Sequence, residues 1–313
     1  MISSNGTEVE KRHPIQVVVR RTGLSPDVLR VWEKRYGVVS PGRSSGGHRL
    51  YSDEDVERLQ LLNRVTTAGR RISKVAGLQT DELQKLADED ADSLYVPPDP
   101  PSVSLQSEPY LESSLAAVEA MDPRELESSL MRATIALPAP LLIDEVIGPL
   151  LARIGDQWAH GELSPGKEHL ASAVIRRVLE SIMNACAPEP DAPGIVVATP
   201  AGQLHEFGAL LVGAAAAALN WRVSYLGTSL PSQDIAEVAS TTRSNVVALS
   251  VVYPVDDVEL PAVLRSLREH VDEGTTILVG GRAAPHYLEA IESIDAKMIT
   301  SLGQLVGILE ERN

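Results

Sequence analysis

The residues with the clearest chemical potential lie in the last third of the chain. His205 stands in TPAGQLHEFGALLVG (199–213) and is followed after two residues by Gly208. A neutral imidazole is a good nitrogen donor to a transition metal, and a lone histidine can equally be structural. Gln203 precedes it by two positions. An acid there would hold the imidazole N–H and raise its basicity, whereas an amide accepts the same hydrogen bond without charge. Forty-one residues separate Gly208 from Ser250, which opens Ser-Val-Val ending at Val252, and 27 more separate Val252 from the pair Gly280–Gly281. A serine hydroxyl can hydrogen-bond a ligand's ring nitrogen, and two glycines let a bulky group pass close to backbone.

Two further sets stand upstream. Trp158 is separated by nine residues from the pair Glu168–His169, and His160 lies between. By themselves, Trp158 can be core, Glu168 and His169 a solvated helix start, and His160 a surface residue. The basic set comprises Arg30, Lys34 and Arg35, then Arg43, His48, Arg49 and Tyr51 in PGRSSGGHRLYS (41–52). Arginines on a helix followed by a glycine-rich hairpin can reach phosphates or a groove.

These residues need elements to position them. In the tail, the short apolar runs 194–199, 222–227, 245–250, 276–281 and 296–300 alternate with helix-like segments. Such runs mark a parallel sheet covered on both faces, a doubly wound α/β domain that binds its ligand at the carboxyl ends of the strands. That puts His205 after the first strand, Ser250 at the end of the third and Gly280 at the end of the fourth. The middle shows four amphipathic segments with short connections, a helical bundle. In the head, a turn at 22–24 joins two helices. Ser25 caps the second, Pro26 opens it and Gly37 ends it, while Ser52 caps a third. Two helices, a Gly-containing turn and a basic second helix form a winged helix-turn-helix. The prolines at 97, 98, 100 and 101 favour an extended spacer. The domains are therefore expected at 1–95, 107–187 and 192–313, with a linker at 96–106.

Composition bounds the function class. The 313 residues are 43% hydrophobic and 23% charged, ordinary for a globular chain. The longest apolar stretch, 208–219, is too short to span a bilayer, and the first residues lack a signal peptide's apolar core. The single cysteine, Cys186, excludes an internal disulfide or a multi-cysteine metal site. A cytoplasmic protein without membrane association is expected. Net charge is −15, yet residues 1–75 carry 14 Lys and Arg against 8 Asp and Glu, and the remainder 14 against 35. A basic head on an acidic body suits a polyanion-binding module joined to a sensor or effector. No hydrolase triad or phosphate-binding glycine loop is present, so the chain is not expected to be an enzyme.

Three resemblances follow from these residues. TGLSPDVLRVWEKRYGVVSPGRSSGGHRLYSDEDVERL resembles the DNA-binding head of the MerR family, with Arg30, Trp32, Glu33, Arg35, Tyr36 and Gly37 in its helix motif and Pro41, Arg43, His48, Arg49 and Tyr51 in its wing. The resemblance implies DNA contacts by Arg30, Arg35, Arg43, His48, Arg49 and Tyr51, and core packing by Trp32. His205-x-x-Gly208, Ser250-Val-Val252 and Gly280–Gly281 resemble the base-off, histidine-on cobalamin module, in which His205 would be the lower axial ligand of cobalt. Gln203 stands where that module carries an acid. Trp158-x9-Glu168-His169 resembles the signature of light-responsive MerR-type cobalamin repressors, the CarH and LitR group. There the tryptophan packs over the upper ligand and the Glu-His pair lines its pocket. That group commonly carries a histidine directly after the tryptophan; here the position is Ala159 and the histidine is His160.

The resemblance implies an adenosylcobalamin-dependent repressor that binds operator DNA as a dark homo-oligomer, dimer or tetramer. Light would trigger disassembly and DNA release, with carotenoid genes as targets. Methylcobalamin and hydroxocobalamin remain alternative cofactor forms. The alternative functions are a light-independent sensor of cobalamin or a related tetrapyrrole, and a corrinoid methyl carrier.

Overall fold

The structure, a computed structural model, describes residues 13–43, 47–67, 70–94, 103–159, 162–252 and 257–312. It separates into two compact units, Met1–Asp90 and Ala91–Asn313.

The first unit opens with β1 (His13–Pro14) and α1 (Ile15–Thr22). Gly23 ends α1 in the left-handed region, with φ of 73°. In α2 (Pro26–Tyr36) the Ser25 hydroxyl accepts the Val28 N–H at 3.2 Å, and Gly37 closes the helix at φ 62°. The strands β2 (Gly42–Arg43) and β3 (Arg49–Tyr51) form the antiparallel wing, and β1 pairs with the other edge of β3. Sequence periodicity does not reveal so short a strand as β1, in which Pro14 lies directly ahead of α1. Before α3 (Asp53–Thr67), the Ser52 hydroxyl accepts the Asp55 N–H at 3.0 Å, and Asp55 accepts the Ser52 N–H at 2.9 Å, a reciprocal capping box. After α4 (Ile72–Val75), α5 runs from Thr80 to Leu94. The acidic residues 88–92 therefore continue a helix. Val18, Leu29, Trp32, Tyr51, Leu59 and Leu62 make up much of the core.

The second unit joins a bundle to an α/β layer. Its helices are α6 (Glu108–Glu119), α7 (Pro123–Ala136), α8 (Ala139–Leu142), α9 (Gly148–Ala159) and α10 (Pro165–Ala185). A π-turn at Ile143–Ile147 joins α8 to α9, so the four-helix reading of the sequence holds with one interruption. Pro149 explains the turn. Its ring would clash with a carbonyl four residues back and it donates no N–H, and the wider turn absorbs both defects. The expected linker, 96–106, gives way to bundle contacts before its last residues. The Ser104 N–H and hydroxyl bond Glu145 at 3.0 and 2.6 Å, fixing this segment to the bundle.

The sheet contains β4 (Gly194–Pro200), β5 (Arg222–Leu230), β6 (Val246–Ser250), β7 (Thr276–Gly280) and β8 (Lys297–Ile299), all parallel, in the order β5-β4-β6-β7-β8. The intervening helices are α11 (Phe207–Ala218), α12 (Ser232–Thr241), α13 (Leu260–His270), α14 (Leu288–Ser293) and α15 (Leu302–Glu310). Strand alternation divides the apolar side chains. Val196, Ala198, Val247 and Ile277 face α12, α13 and α14. Ile195, Val197, Ala248 and Leu278 face α11 and α15, in a core that continues through α10 into the bundle. Bundle and sheet thus share one core, which the proline-rich stretch 187–193 does not divide. Strand order reverses between β4 and β6, so the loops leaving these two strands flank the crevice where this topology binds ligands.

Candidate cofactor site and nucleic-acid interface

The β4–α11 loop carries His205, half-buried two residues before α11 begins. Polar bonds fix this loop. Thr199 Oγ1 donates to the Gln203 carbonyl at 2.5 Å and accepts the Ser229 N–H at 2.9 Å. Gln203 is fully buried, and its Oε1 accepts the Val252 N–H at 3.0 Å. The amide thus joins the two loops on either side of the switch point. Beside His205, Glu206 receives the Tyr225 hydroxyl at 2.8 Å and an ion pair from Arg176 of α10. Burial, reinforced by Glu206, pushes the Tyr225 phenol well above its ordinary value. This clasp ties the histidine loop to the bundle, and no sequence spacing announced it.

Below that loop, Gly208, Leu211, Ser250, Leu278, Gly280, Gly281 and Leu305 help enclose a cavity of about 200 Å³. Its walls are mostly apolar, and the buried Ser250 hydroxyl has no hydrogen-bond partner among the described residues. A methyl on Gly208 would come within 2.3 Å of that hydroxyl oxygen. Gly281 holds φ at 97°, and a methyl there would meet the Val251 carbonyl oxygen at 2.4 Å. The glycines therefore set both the shape of the cavity and the path of the backbone around it. A slot with one waiting hydroxyl fits a flat heteroaromatic group bearing a ring nitrogen. A single imidazole beside it is the protein donor that a metal already enclosed in a macrocycle requires.

Trp158 lies near the end of α9, partly buried against the shared core. Glu168 and His169 are in the first turn of α10, where Glu168 accepts the Ser172 hydroxyl at 2.6 Å and meets His169 Nδ1 at 2.8 Å. His169 is 76% exposed in its side chain. His160 lies outside the described residues. Beyond it the chain folds back, the Glu162 and Leu163 N–H groups both donating to the Gln157 carbonyl.

In the first unit, Arg30, Arg35, Arg43 and His48 are exposed. Arg30 pairs with Asp27 at 2.9 Å, Arg35 lies over the Tyr36 ring at 5.5 Å, and Arg43 donates to the Gly47 carbonyl at 3.3 Å. Such exposed contacts hold a cation only weakly. Arg49 Nε donates to Glu33 at 2.9 Å, binding the wing to α2, and this hydrogen bond raises the guanidinium's pKa. Tyr51 requires a correction. It is fully buried, its hydroxyl has no partner, and burial, then Glu33, pushes the phenol upward. Facing inward from β3, it packs the core as Trp32 does and presents nothing to DNA. Arg58 is a cation the motif reading missed; it donates to the Val38 and Ala76 carbonyls at 2.7 and 2.8 Å and braces the head.

Comparison with known proteins agrees with this division. The MerR HTH regulatory protein family matches residues 14–82, and two B12 binding domain families match residues 110–182 and 193–300. The transcriptional repressor CarH of Myxococcus xanthus is 31% identical over 293 residues, covering 91% of this chain and 94% of the relative. CarA of the same organism is 32% identical, covering 94% and 95%. The monomethylamine corrinoid protein of Methanosarcina barkeri shares the fold of the second unit, with a TM-score of 0.52 at 17% identity over 66% of this chain and all of that one. No helix among the described residues is long and apolar enough to cross a membrane. Regulators rather than enzymes are the full-length relatives, and the chain belongs to the CarH-type, MerR-family cobalamin-binding transcriptional repressors.

Proposed function

We propose that the protein is a light-responsive, adenosylcobalamin-dependent repressor acting in the cytoplasm, whose dark homo-oligomer occupies operator DNA and whose illuminated form releases it. Carotenoid or photoprotection genes are the proposed targets. In this reading residues 1–95 bind DNA, 96–106 link, 107–187 cap the cofactor and 192–313 hold it. The cofactor supplies a cobalt–carbon bond that visible light cleaves.

The chain's own residues do the rest. His205 would hold the cobalt of the cofactor through its imidazole. Ser250 would hydrogen-bond the nitrogenous base of its nucleotide, for which Gly208, Gly280 and Gly281 leave room. Gln203 and Val252 hold the two flanking loops together. Trp158, Glu168, His169 and His160 would line the cap over the cofactor, where the size of the bound form would bias the bundle between two arrangements. Arg30, Arg35, Arg43, His48 and Arg49 form the DNA-binding set.

The observation that carries this reading is the apolar cavity with a Ser250 hydroxyl unpartnered among the described residues, walled by Gly208, three residues after His205, where a methyl would meet that hydroxyl. The test is the absorption spectrum of protein loaded with adenosylcobalamin in the dark. His205→Ala should shift the bands away from the histidine-ligated form; an unchanged spectrum refutes lower ligation. Ala159 and Gln203 favour a second reading, a regulator that senses cobalamin without responding to light. An illuminated sample whose oligomeric mass stays constant while cofactor is bound would select it.

A further inference from the structure

Arg282 directly follows Gly280–Gly281 at the carboxyl end of β7. The backbone on either side of it is locked. Val251 N–H donates to the Gly280 carbonyl at 2.8 Å, Ala283 N–H to the Val251 carbonyl at 3.1 Å, and Ala284 N–H to the Gly281 carbonyl at 3.0 Å. Ala283 and Ala284 are fully buried. The side chain is thus delivered to one place at the edge of the sheet where the ligand of this topology lies. Its Nε and Nη2 are buried and meet no acceptor among the described residues. Burial lowers its pKa to about 10, and the charge of Asp156, two residues before Trp158 on α9, opposes that shift. The guanidinium remains protonated at neutral pH, within electrostatic reach of Asp156 on α9.

A planar cation with inward donors is matched by an oxygen acceptor arriving with a ligand, because the guanidinium fork engages two lone pairs at once. Asp156 balances its charge at range without occupying these donors. We propose that Arg282 is a corrinoid-binding residue, donating Nε–H and Nη2–H to an oxygen acceptor on the cofactor. A corrinoid offers that chemistry at two places, the phosphodiester of its nucleotide loop and the carboxamides around the ring. The inference rests on the cobalamin reading above and adds a residue that the His-Ser-Gly-Gly pattern does not contain.

The test titrates cofactor-free, full-length protein in the dark with adenosylcobalamin and with adenosylcobinamide, which lacks the nucleotide and its phosphodiester. Arg282→Met keeps the apolar stem but removes the donors. It should weaken adenosylcobalamin binding about ten- to a hundred-fold, the size expected for lost hydrogen bonds from a charged group. Weakening confined to adenosylcobalamin assigns the phosphodiester; equal weakening with both assigns the carboxamides. Arg282→Lys, which keeps the charge without the fork, should fall between wild type and Arg282→Met. With no acceptor to lose, the cofactor-free Arg282→Met protein should melt no lower than wild type. Unchanged affinity for both corrinoids overturns the proposal, and a lowered cofactor-free Tm alongside it assigns Arg282 a purely structural tie to Asp156. Wild-type protein that binds neither corrinoid refutes the cobalamin reading itself.

Discussion

Ser250→Ala should stabilise the cofactor-free protein while weakening its hold on cobalamin. The serine is 4% exposed, and its hydroxyl has no partner. A buried hydroxyl without a partner costs about 1–3 kcal/mol, and losing one small atom from the wall costs less. A net gain of about 1 kcal/mol corresponds to a rise of roughly 2–4 °C in Tm for a unit of this size. The lost bond to the cofactor base should weaken binding about two- to ten-fold. Gly208→Ala probes the same contact from the opposite wall. Its methyl would lie 2.3 Å from the Ser250 oxygen, but 3.4 Å from the Ser250 Cβ that remains once the oxygen is gone. Overpacking costs about 1–3 kcal/mol in the single variant, against a helix-propensity gain of at most about 1. The double variant should recover most of that loss and show a coupling of about 1–3 kcal/mol. It should still bind cobalamin poorly, because the methyl occupies the slot. Thermal unfolding of cofactor-free protein and dark titration measure both quantities. A Ser250→Ala protein that melts several degrees lower, or strictly additive variants, would refute the reasoning.

Tyr51→Phe should raise the Tm of the first unit by a few degrees and leave operator affinity unchanged, since the buried phenol bonds nothing; a loss of affinity would restore the contact that the sequence suggested. Arg43→Ala should weaken DNA binding and reduce the slope of log K against log salt by about 1, one phosphate contact's worth; an unaltered slope would remove the wing from the interface. The Ser104 hydroxyl holds the Glu145 carboxyl below its ordinary pKa of 4.5. Its stabilising contribution is therefore complete above that pH and lost as pH falls through the lower folded value. Glu145→Gln should flatten the acid limb of the second unit's Tm profile, and curves parallel to wild type would show that the contact contributes nothing.

Local signals carried much of the fold. Ser25 and Gly37 bound α2 and Ser52 caps α3 because capping depends on residues within one turn. The five apolar runs became five parallel strands because both faces of the sheet are covered. What the sequence withheld depends on distant partners. Tyr51 sits in a wing motif full of arginines, and only strand direction turns it inward. The clasp of Arg176, Glu206 and Tyr225 joins three elements with no fixed spacing. Gln203 reads as a weakened acid beside a histidine, yet its carbonyl oxygen binds the Val252 backbone, 49 residues away. Nothing in the sequence singles out Arg282; the close approach of Gly281 to Val251 fixes the backbone that carries it.

The most direct test of the central claim is size-exclusion chromatography with simultaneous absorption, on protein loaded with adenosylcobalamin and bound to operator DNA, in the dark and after green light. The account predicts a spectral change accompanied by a fall in mass and release of the DNA. A spectral change with mass and DNA binding both intact would contradict it.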